Sequence, residues 1–279
     1  MDNKPTILYK YLTAIGAEKI LGNCTLRFTP PNELNDPFEF MPGGYKDISK
    51  KAKSRIIRDL LLHDLEMAKE FALAIGKSIP KNRKERRELI LSHNKEVIMH
   101  AEAVFSELQK RNWKKFVDES SKIYGITCFS EEYDNILMWS HYANMHKGVV
   151  IGFDVSILGS DLKLFRVQYS AQRPLLEISA YASKKEYEEA AIKLMKTKFC
   201  GWAYEHEWRC IQKLNNLTKS MDSQISYLYL KQIKRSAIKC VYLGAKISHE
   251  DEMKIRKLIQ GTNCIKMIFS QNDYSIIPQ

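Results

Sequence analysis

The hydrophobic periodicity of the chain changes near residue 122, and this change limits the possible folds more than any other feature. Between residues 47 and 120, apolar side chains recur at the spacing of one helix face, first from Ile48 to Ala74 and then from Ile90 to Leu108. The segment Gly76–Pro80 separates the two runs. The pattern predicts two long helices that form an αα-hairpin.

Short runs rich in β-branched and aromatic residues follow Lys122 and predict strands. The predicted strands are Ile123–Phe129, Val149–Phe153, Leu164–Tyr169, Trp208–Gln212, Ile225–Leu230, Ile238–Leu243 and Ile265–Phe269. Helices are predicted at Asn135–Met145, Lys184–Phe199 and His249–Gln260, and the start of the chain predicts a helix at Tyr11–Leu21 and a strand at Thr25–Phe28.

Because these strands and helices do not alternate strictly, a doubly wound parallel sheet is disfavoured. We expect an α+β fold with a mixed or antiparallel sheet core and an inserted long, basic αα-hairpin. Residues 1–46 and 121–279 would form the core, which is the candidate catalytic domain, and residues 47–120 the helical insertion.

The positive charge of the chain is concentrated in the predicted insertion. The chain of 279 residues has a net charge of +11, and the segment Lys46–Lys122 contributes +7 of it, with 19 basic and 12 acidic residues. The densest cluster, Lys81–Arg87, predicts contact with nucleic acid through phosphate groups. The alternative is a solvated helix start, where Glu85 and Glu88 pair with the basic side chains.

Several classes of protein are disfavoured by what the sequence lacks. No apolar run approaches the ~20 residues that span a bilayer, and the first residues do not resemble a secretory signal, so we expect a soluble, cytoplasmic protein with no membrane partner. The six cysteines are scattered with no C-x-x-C pair, which predicts neither a metal site nor disulfides. Dinucleotide-binding, P-loop, zincin and α/β-hydrolase motifs do not occur.

The first of three polar and aromatic clusters is Leu34–Glu39, which follows Arg27–Pro31. Pro37 restricts the backbone of Asp36, and the side chains of Asn35 and Asp36 can bond to nearby amides, so a structural turn is favoured. Arg27 lies on a predicted strand, where its guanidinium requires a partner such as a carboxylate or a phosphate.

The second cluster is Met138–His146. On a helix, Trp139, Tyr142 and His146 share one face. An aromatic stripe is commonly part of a core, but four hydrogen-bonding rings in eight residues are costly to bury unsatisfied. We therefore expect at least one of these rings to line a pocket.

The third cluster is Trp202–Arg209. If it is a strand, Glu205, Glu207 and Arg209 share one face. This arrangement fits a structural ladder of ion pairs. It fits equally well an acid–base site, in which one carboxylate has a fixed partner and the other faces a substrate.

Together with Leu8–Tyr11, Cys128–Ser130 and Tyr242–Gly244, the three clusters resemble a prokaryotic domain family of unknown function. That family is often associated with phage-defence and abortive-infection loci. The resemblance implies a defence or toxin effector and a protein partner such as an antitoxin or another component of a defence system.

The order Arg27, Tyr142, Glu205-His206-Glu207 also resembles ADP-ribosyltransferases, which use NAD as a substrate. The resemblance implies that Arg27 steadies the pyrophosphate and that Tyr142 or Trp139 stacks on nicotinamide. Glu207 would stabilise the cationic transition state and Glu205 would orient or deprotonate the acceptor. The other residues assigned to NAD binding are Lys10, Tyr11, Asn35, His141 and Arg209.

Two further hypotheses remain open from the sequence. In one, the protein is a nucleic-acid-binding effector or a nuclease, in which Asp36, Glu205 and Glu207 hold Mg²⁺. In the other, it is a sensor or scaffold without catalytic activity, and the polar clusters only fix the fold.

Overall fold

The computed structural model describes residues 5–46, 49–158, 162–177, 184–221, 227–259 and 261–279. Helices α1 to α8 are Ala14–Asn23, Lys50–His63, Leu65–Ala74, Arg83–Ser92, Asn94–Ile123, Ile136–Tyr142, Lys184–Met195 and His249–Leu258. Strands β1 to β15 are Ile7–Leu12, Thr25–Phe28, Gly44–Tyr45, Tyr124–Ser130, Val149–Asp154, Leu164–Arg166, Gln168–Ser170, Leu175–Leu176, Thr197–Phe199, Glu207–Lys213, Thr218–Met221, Tyr227–Gln232, Ile238–Leu243, Asn263–Phe269 and Ile276–Pro278.

An eight-stranded sheet with the order β15-β14-β13-β5-β1-β4-β10-β6 organises the fold. Its neighbours pair antiparallel, apart from the parallel pair β13 and β14. The sheet is therefore mixed, and the prediction of an α+β fold is confirmed. Strands β1, β4 and β10, which carry residues of the candidate site, are adjacent at one side of its centre.

Apolar side chains cover both faces of this sheet. The largest cluster joins sheet residues such as Leu8 and Phe153 to α1 and α8, which contribute Ile20 and Ile255. A second cluster surrounds Trp139 of α6. A third joins Phe116 of α5 and Leu194 of α7 to Ile126 of β4. Burial on both faces explains why β5 reads as a continuous apolar run.

The segment between residues 50 and 123 is helical, with the predicted break after α3, but each of the two predicted helices is divided. Asp64 ends α2 and also caps α3, because its carboxylate accepts hydrogen bonds from the amides of Glu66 and Met67. The four helices enclose a small core of their own, and Phe116 of α5 packs against the main body. Residues 47 and 48, at the predicted boundary, lie outside the described residues, and the division into two domains stays a prediction.

Some helices begin or end at other residues than the sequence predicted, and the contacts explain why. The first helix starts at Ala14, because Tyr11 pairs with Val150 in the sheet and Thr13 caps the helix. The predicted helix Lys184–Phe199 stops at Met195, and its end forms β9. Residues 225, 226 and 260, which fall within predicted elements, lie outside the described residues. None of the helices within the described ranges is both long and apolar enough to cross a membrane.

Candidate active site

The ammonium group of Lys198 lies among three buried carboxylates. Its Nζ atom is 3.1 Å from an oxygen of Glu39, 2.6 Å from Glu205 and 3.2 Å from Glu207. Burial alone would lower the pKa of Lys198, but the three negative charges outweigh this effect and raise it. The lysine is therefore a permanent cation at the centre of the cluster.

Arg209 is the second cation of this group, which we call the ion cluster (Glu39, Lys198, Glu205, Glu207 and Arg209). Its Nε and Nη2 atoms donate to the two oxygens of Glu207 at 2.7 and 2.9 Å, and Nη2 also donates to Glu39 at 2.8 Å. Its Nη1 atom donates to the carbonyl oxygen of Met195 at 2.8 Å. All five side chains belong to residues that are at most 8% exposed.

The two glutamates of the E-x-E motif have opposite pKa shifts. Burial opposes ionisation of Glu207, but the charges of Arg209 and Lys198 overcome it and hold the pKa well below its usual range. Burial raises the pKa of Glu205, and Lys198 offsets this only in part, while the charge of Glu207 adds to the rise. Glu207 therefore has fixed ionic partners and stays ionised, and Glu205 is the carboxylate of the pair that is more readily protonated.

A tight turn places both glutamates at Lys198, and the two do not lie on one strand, which was the arrangement considered from the sequence. Residues Cys200–Glu205 form a 3₁₀ helix, His206 adopts a left-handed conformation with φ 44°, and β10 begins at Glu207. The hydroxyl of Ser130 donates to the carbonyl oxygen of Glu205 at 2.7 Å, which fixes the turn against β4. Glu205 is not part of the strand, because it belongs to the 3₁₀ helix that ends at His206.

The carboxylate of Glu205 lines a cavity of about 130 Å³. The hydroxyl of Tyr142 donates to Glu205 at 2.7 Å and accepts a hydrogen bond of 3.3 Å from the Asn35 side chain. Burial raises the pKa of Tyr142, so this phenol stays protonated at neutral pH. The lining residues are Tyr9, Lys10, Tyr11, Leu34, Asn35, Glu39, Cys128, Phe129, Ser130, Met138, Tyr142, Lys198, Glu205 and Glu207.

Most of the residues that the sequence assigned to one site are brought together here. Lys10, Tyr11, Asn35, Tyr142, Glu205 and Glu207 all line the cavity. The ammonium of Lys10 donates to Thr127 Oγ1 and to the carbonyl oxygen of Cys128, each at 2.9 Å, and burial lowers its pKa. Arg209 is not part of the lining and supports the cavity from behind through Glu207 and Glu39.

Three assigned residues lie elsewhere. Trp139 is fully buried, donates to the carbonyl oxygen of Tyr133 at 2.8 Å and packs edge-on against Tyr11, so it belongs to the core. His141 is exposed beside Trp202 and Tyr204, outside the cavity lining. Of the aromatic cluster, Tyr142 therefore lines the cavity, as expected of at least one ring, whereas Trp139 and His141 do not.

Arg27 also lies outside the cavity lining. It is on β2 in a separate three-stranded sheet, where Leu26 and Phe28 face the core and the alternation of the strand leaves Arg27 exposed. Its guanidinium is 3.5 Å from Glu33 and remains about half-exposed. The predicted partner exists, but it is a surface carboxylate, and the prediction that Arg27 joins Tyr142 and Glu207 is wrong.

Lys198 was not predicted as a site residue, and Glu39 was given no role. The predicted helix through Phe199 concealed that Lys198 lies on a strand. The sequence signal of Lys198 is weak, because a single lysine in a predicted helix is typical of a solvent-exposed face.

The range that contains most of this geometry matches a known family model. Residues 138–210 match DUF2971, a protein family of unknown function. The match begins at Met138 in α6 and ends at Cys210 in β10, so it includes Tyr142, Lys198 and the E-x-E motif. The predicted domain of unknown function is confirmed for this range.

No curated protein and no solved structure matches the chain. The DUF2971 range leaves out Lys10, Asn35 and Glu39, which reach the same cavity from the first part of the chain. The resemblance to ADP-ribosyltransferases is not tested by these comparisons and stays a hypothesis.

Proposed function

We propose that the protein transfers ADP-ribose from NAD to a macromolecular acceptor, with Glu205 as its catalytic carboxylate. The observation that carries the proposal is the position of Glu205 on the cavity wall, with a raised pKa, between the Tyr142 hydroxyl and the Lys198 ammonium. The DUF2971 range contains all three residues. The identity of the donor comes from the resemblance to ADP-ribosyltransferases.

The chemistry of the transfer suits a buried carboxylate. When the bond between the ribose carbon and nicotinamide breaks, its electron pair neutralises the pyridinium nitrogen, and positive charge develops on the ribose. A preorganised anion in a site with little water stabilises this charge. The acceptor then forms the new bond to the ribose carbon, and its proton passes to Glu205, because the raised pKa makes Glu205 a stronger base than Glu207.

The geometry favours different roles for Glu205 and Glu207 from those that the resemblance implied. Glu207 makes two hydrogen bonds to Arg209 and one to Lys198, so both of its oxygens are occupied by permanent cations. We assign it a positioning role, in which it holds Lys198 against Glu205. Tyr142 orients the other oxygen of Glu205 and presents its ring to the cavity.

The first test is release of nicotinamide from NAD by the purified chain, in the presence of candidate protein and nucleic-acid acceptors. The Glu205→Gln variant should lose at least about 100-fold in rate, which is the low end for a general base. The matched control is Glu188→Gln, because Glu188 also pairs with a lysine, at 2.7 Å, but on a surface away from the cavity.

Two results would overturn the proposal. One is no cleavage of NAD with any acceptor, together with no binding of NAD to the wild-type chain. The other is a Glu205→Gln variant that keeps full activity, or full effect in a cell-based assay, which would favour a sensor or scaffold.

Binding to nucleic acid is a second candidate function, favoured by the start of α4. Glu85 closes this helix start by accepting hydrogen bonds from Lys81 N and Asn82 Nδ2, and four of the five basic residues of Lys81–Arg87 are exposed. Anisotropy of a labelled single-stranded RNA should fall when four exposed residues are changed to Gln, namely Lys81, Arg83, Lys84 and Arg87. The control changes four exposed lysines elsewhere, namely Lys147, Lys163, Lys234 and Lys257.

The arrangement gives less support to a Mg²⁺-dependent nuclease. Lys198 Nζ already lies at hydrogen-bonding distance from Glu205 and Glu207, where a metal ion would have to bind. Asp36 is not part of the cavity lining, and its carboxylate accepts a hydrogen bond from the amide of Phe38. A role in phage defence, with an antitoxin or another defence protein as partner, is supported by the family resemblance alone.

A further inference from the structure

A second cavity, of about 230 Å³, shares Lys198 with the first. The rings of Phe38, Phe40 and Phe199 contribute to its wall, and Phe38 and Phe199 are 58% and 53% exposed. Exposed aromatic rings that line one concavity are candidates for contact with a ligand. Because Lys198 lines both cavities and donates a hydrogen bond to Glu205, these aromatic rings lie close to the proposed catalytic carboxylate.

Arg173 gives this cavity its charge. Its guanidinium lies over the ring of Phe38, with 5.2 Å between its carbon and the ring centroid, and the residue is exposed. No carboxylate belongs to the part of the lining that the structure describes. Because the other cation of the lining, Lys198, is held by three carboxylates, Arg173 is the group that can meet an anionic ligand.

We propose that the second cavity binds a nucleoside monophosphate, with the base against the exposed phenylalanine rings and the phosphate on Arg173. Aromatic faces stack on nucleobases, and the guanidinium fork fits phosphate oxygens. The volume is below the ~300–1,000 Å³ of sites that enclose whole drug-sized ligands, so it fits part of a dinucleotide. The choice of adenylate as the probe rests on the proposed function, in which it is one half of the donor.

The experiment is calorimetric titration of the whole chain with AMP and, separately, with adenosine. AMP should bind about tenfold more tightly or better, since a charge-assisted contact to phosphate is worth that factor. Arg173→Gln should lower the affinity for AMP to that for adenosine and leave adenosine unchanged, and Phe199→Ala should weaken both. Lys163→Gln is the matched control, because Lys163 also lies over a phenylalanine ring, at 5.1 Å, outside this cavity.

Equal affinities for AMP and adenosine would overturn the inference, as would an Arg173→Gln variant that binds AMP like the wild type, or no binding of AMP at millimolar concentration. These outcomes are separate from the failure of the proposed function. If AMP binds as expected and NAD is never cleaved, the nucleotide site stands and the transferase proposal falls. If NAD is cleaved and AMP does not bind, the nucleotide site falls and the transferase proposal stands.

Discussion

The ion cluster and the start of α4 are both dense in charge, yet the two regions use their charges in opposite ways. In the ion cluster, the two cations and three carboxylates are almost fully buried and bond to one another. At the start of α4, Lys81, Arg83, Lys84 and Arg87 are exposed. A similar density of charge along the chain therefore has different physical consequences in the two regions.

The difference shows that burial, rather than charge density, decides whether charged side chains act on each other. In the buried cluster, each group has lost its hydration and depends on its partners, which is why the pKa values of Glu205 and Glu207 move in opposite directions. Exposed charges keep their hydration, and their mutual interactions are weak and screened by salt. We therefore expect substitutions in the two regions to differ strongly in their effect on folding.

The largest expected effect is that of Arg209→Met. This change leaves Glu207 and Glu39 buried beside one remaining cation, and breaking a buried pair in this way costs about 3–5 kcal/mol of unfolding free energy. The matched change in the other region, Arg83→Met, removes an exposed charge and should stay within about 0.5 kcal/mol. Urea denaturation followed by circular dichroism measures both, and equal losses would contradict the comparison.

The second prediction compares the two glutamates of the E-x-E motif. Glu207→Gln removes the negative charge that Arg209 and Lys198 require and should lower the unfolding free energy by about 2–3 kcal/mol. Glu205→Gln should cost about 1 kcal/mol, because burial already favours the neutral form of that carboxyl group and the amide can still accept from Tyr142. A larger loss of stability for Glu205→Gln than for Glu207→Gln would show that the roles are reversed.

The parts of the fold that the sequence predicted are those with a strong local pattern. The strand Ile238–Leu243 is found with its predicted bounds, and the predicted break between the two apolar runs of the insertion is found between α3 and α4. The prediction was wrong where tertiary contacts or one side chain decide the structure. Lys184–Phe199 has helical character throughout, but pairing of Lys198 with Tyr169 in a neighbouring strand converts its end into β9.

The candidate site shows the same limit. The residue types of the E-x-E motif allowed one paired and one poised carboxylate as one of two equal interpretations, the other being a structural ladder of ion pairs. Which glutamate has which role depends on the left-handed conformation of His206 and on Lys198, which approaches from another strand. Arg27 was assigned to the site by its order along the chain, and order does not determine which side of a strand faces a cavity.

The third prediction uses pH to separate the two glutamates. The folded-state pKa of Glu207 lies below the unfolded value of roughly 4.3, so its contribution to stability is present above that pH and is lost as the pH falls towards the folded pKa. The folded-state pKa of Glu205 lies above the unfolded value, so its proton stabilises the fold below about pH 4, and this contribution is lost as the pH rises through the folded pKa.

The measurement is the difference in unfolding free energy between the wild type and each Gln variant, from pH 3 to pH 7. The difference should grow with pH for Glu207→Gln and shrink with pH for Glu205→Gln, at about 1.4 kcal/mol for each unit of pKa shift. Two slopes of the same sign would contradict the opposite shifts, whatever their size.

The smallest predicted effect concerns the start of α4. It compares the N-cap residue Asn82 with the basic residue that follows it, Arg83. The Asn82 side chain accepts a hydrogen bond of 3.0 Å from the amide of Glu85, so Asn82→Ala should cost about 1 kcal/mol, as loss of a helix N-cap does. Arg83→Gln, one residue further along and exposed, should cost less than half of that, because removing a cation from a helix N-terminus also relieves an unfavourable interaction with the helix dipole. If Arg83→Gln were the more costly change, the charges at this helix start would be structural, and the contrast with the ion cluster would disappear.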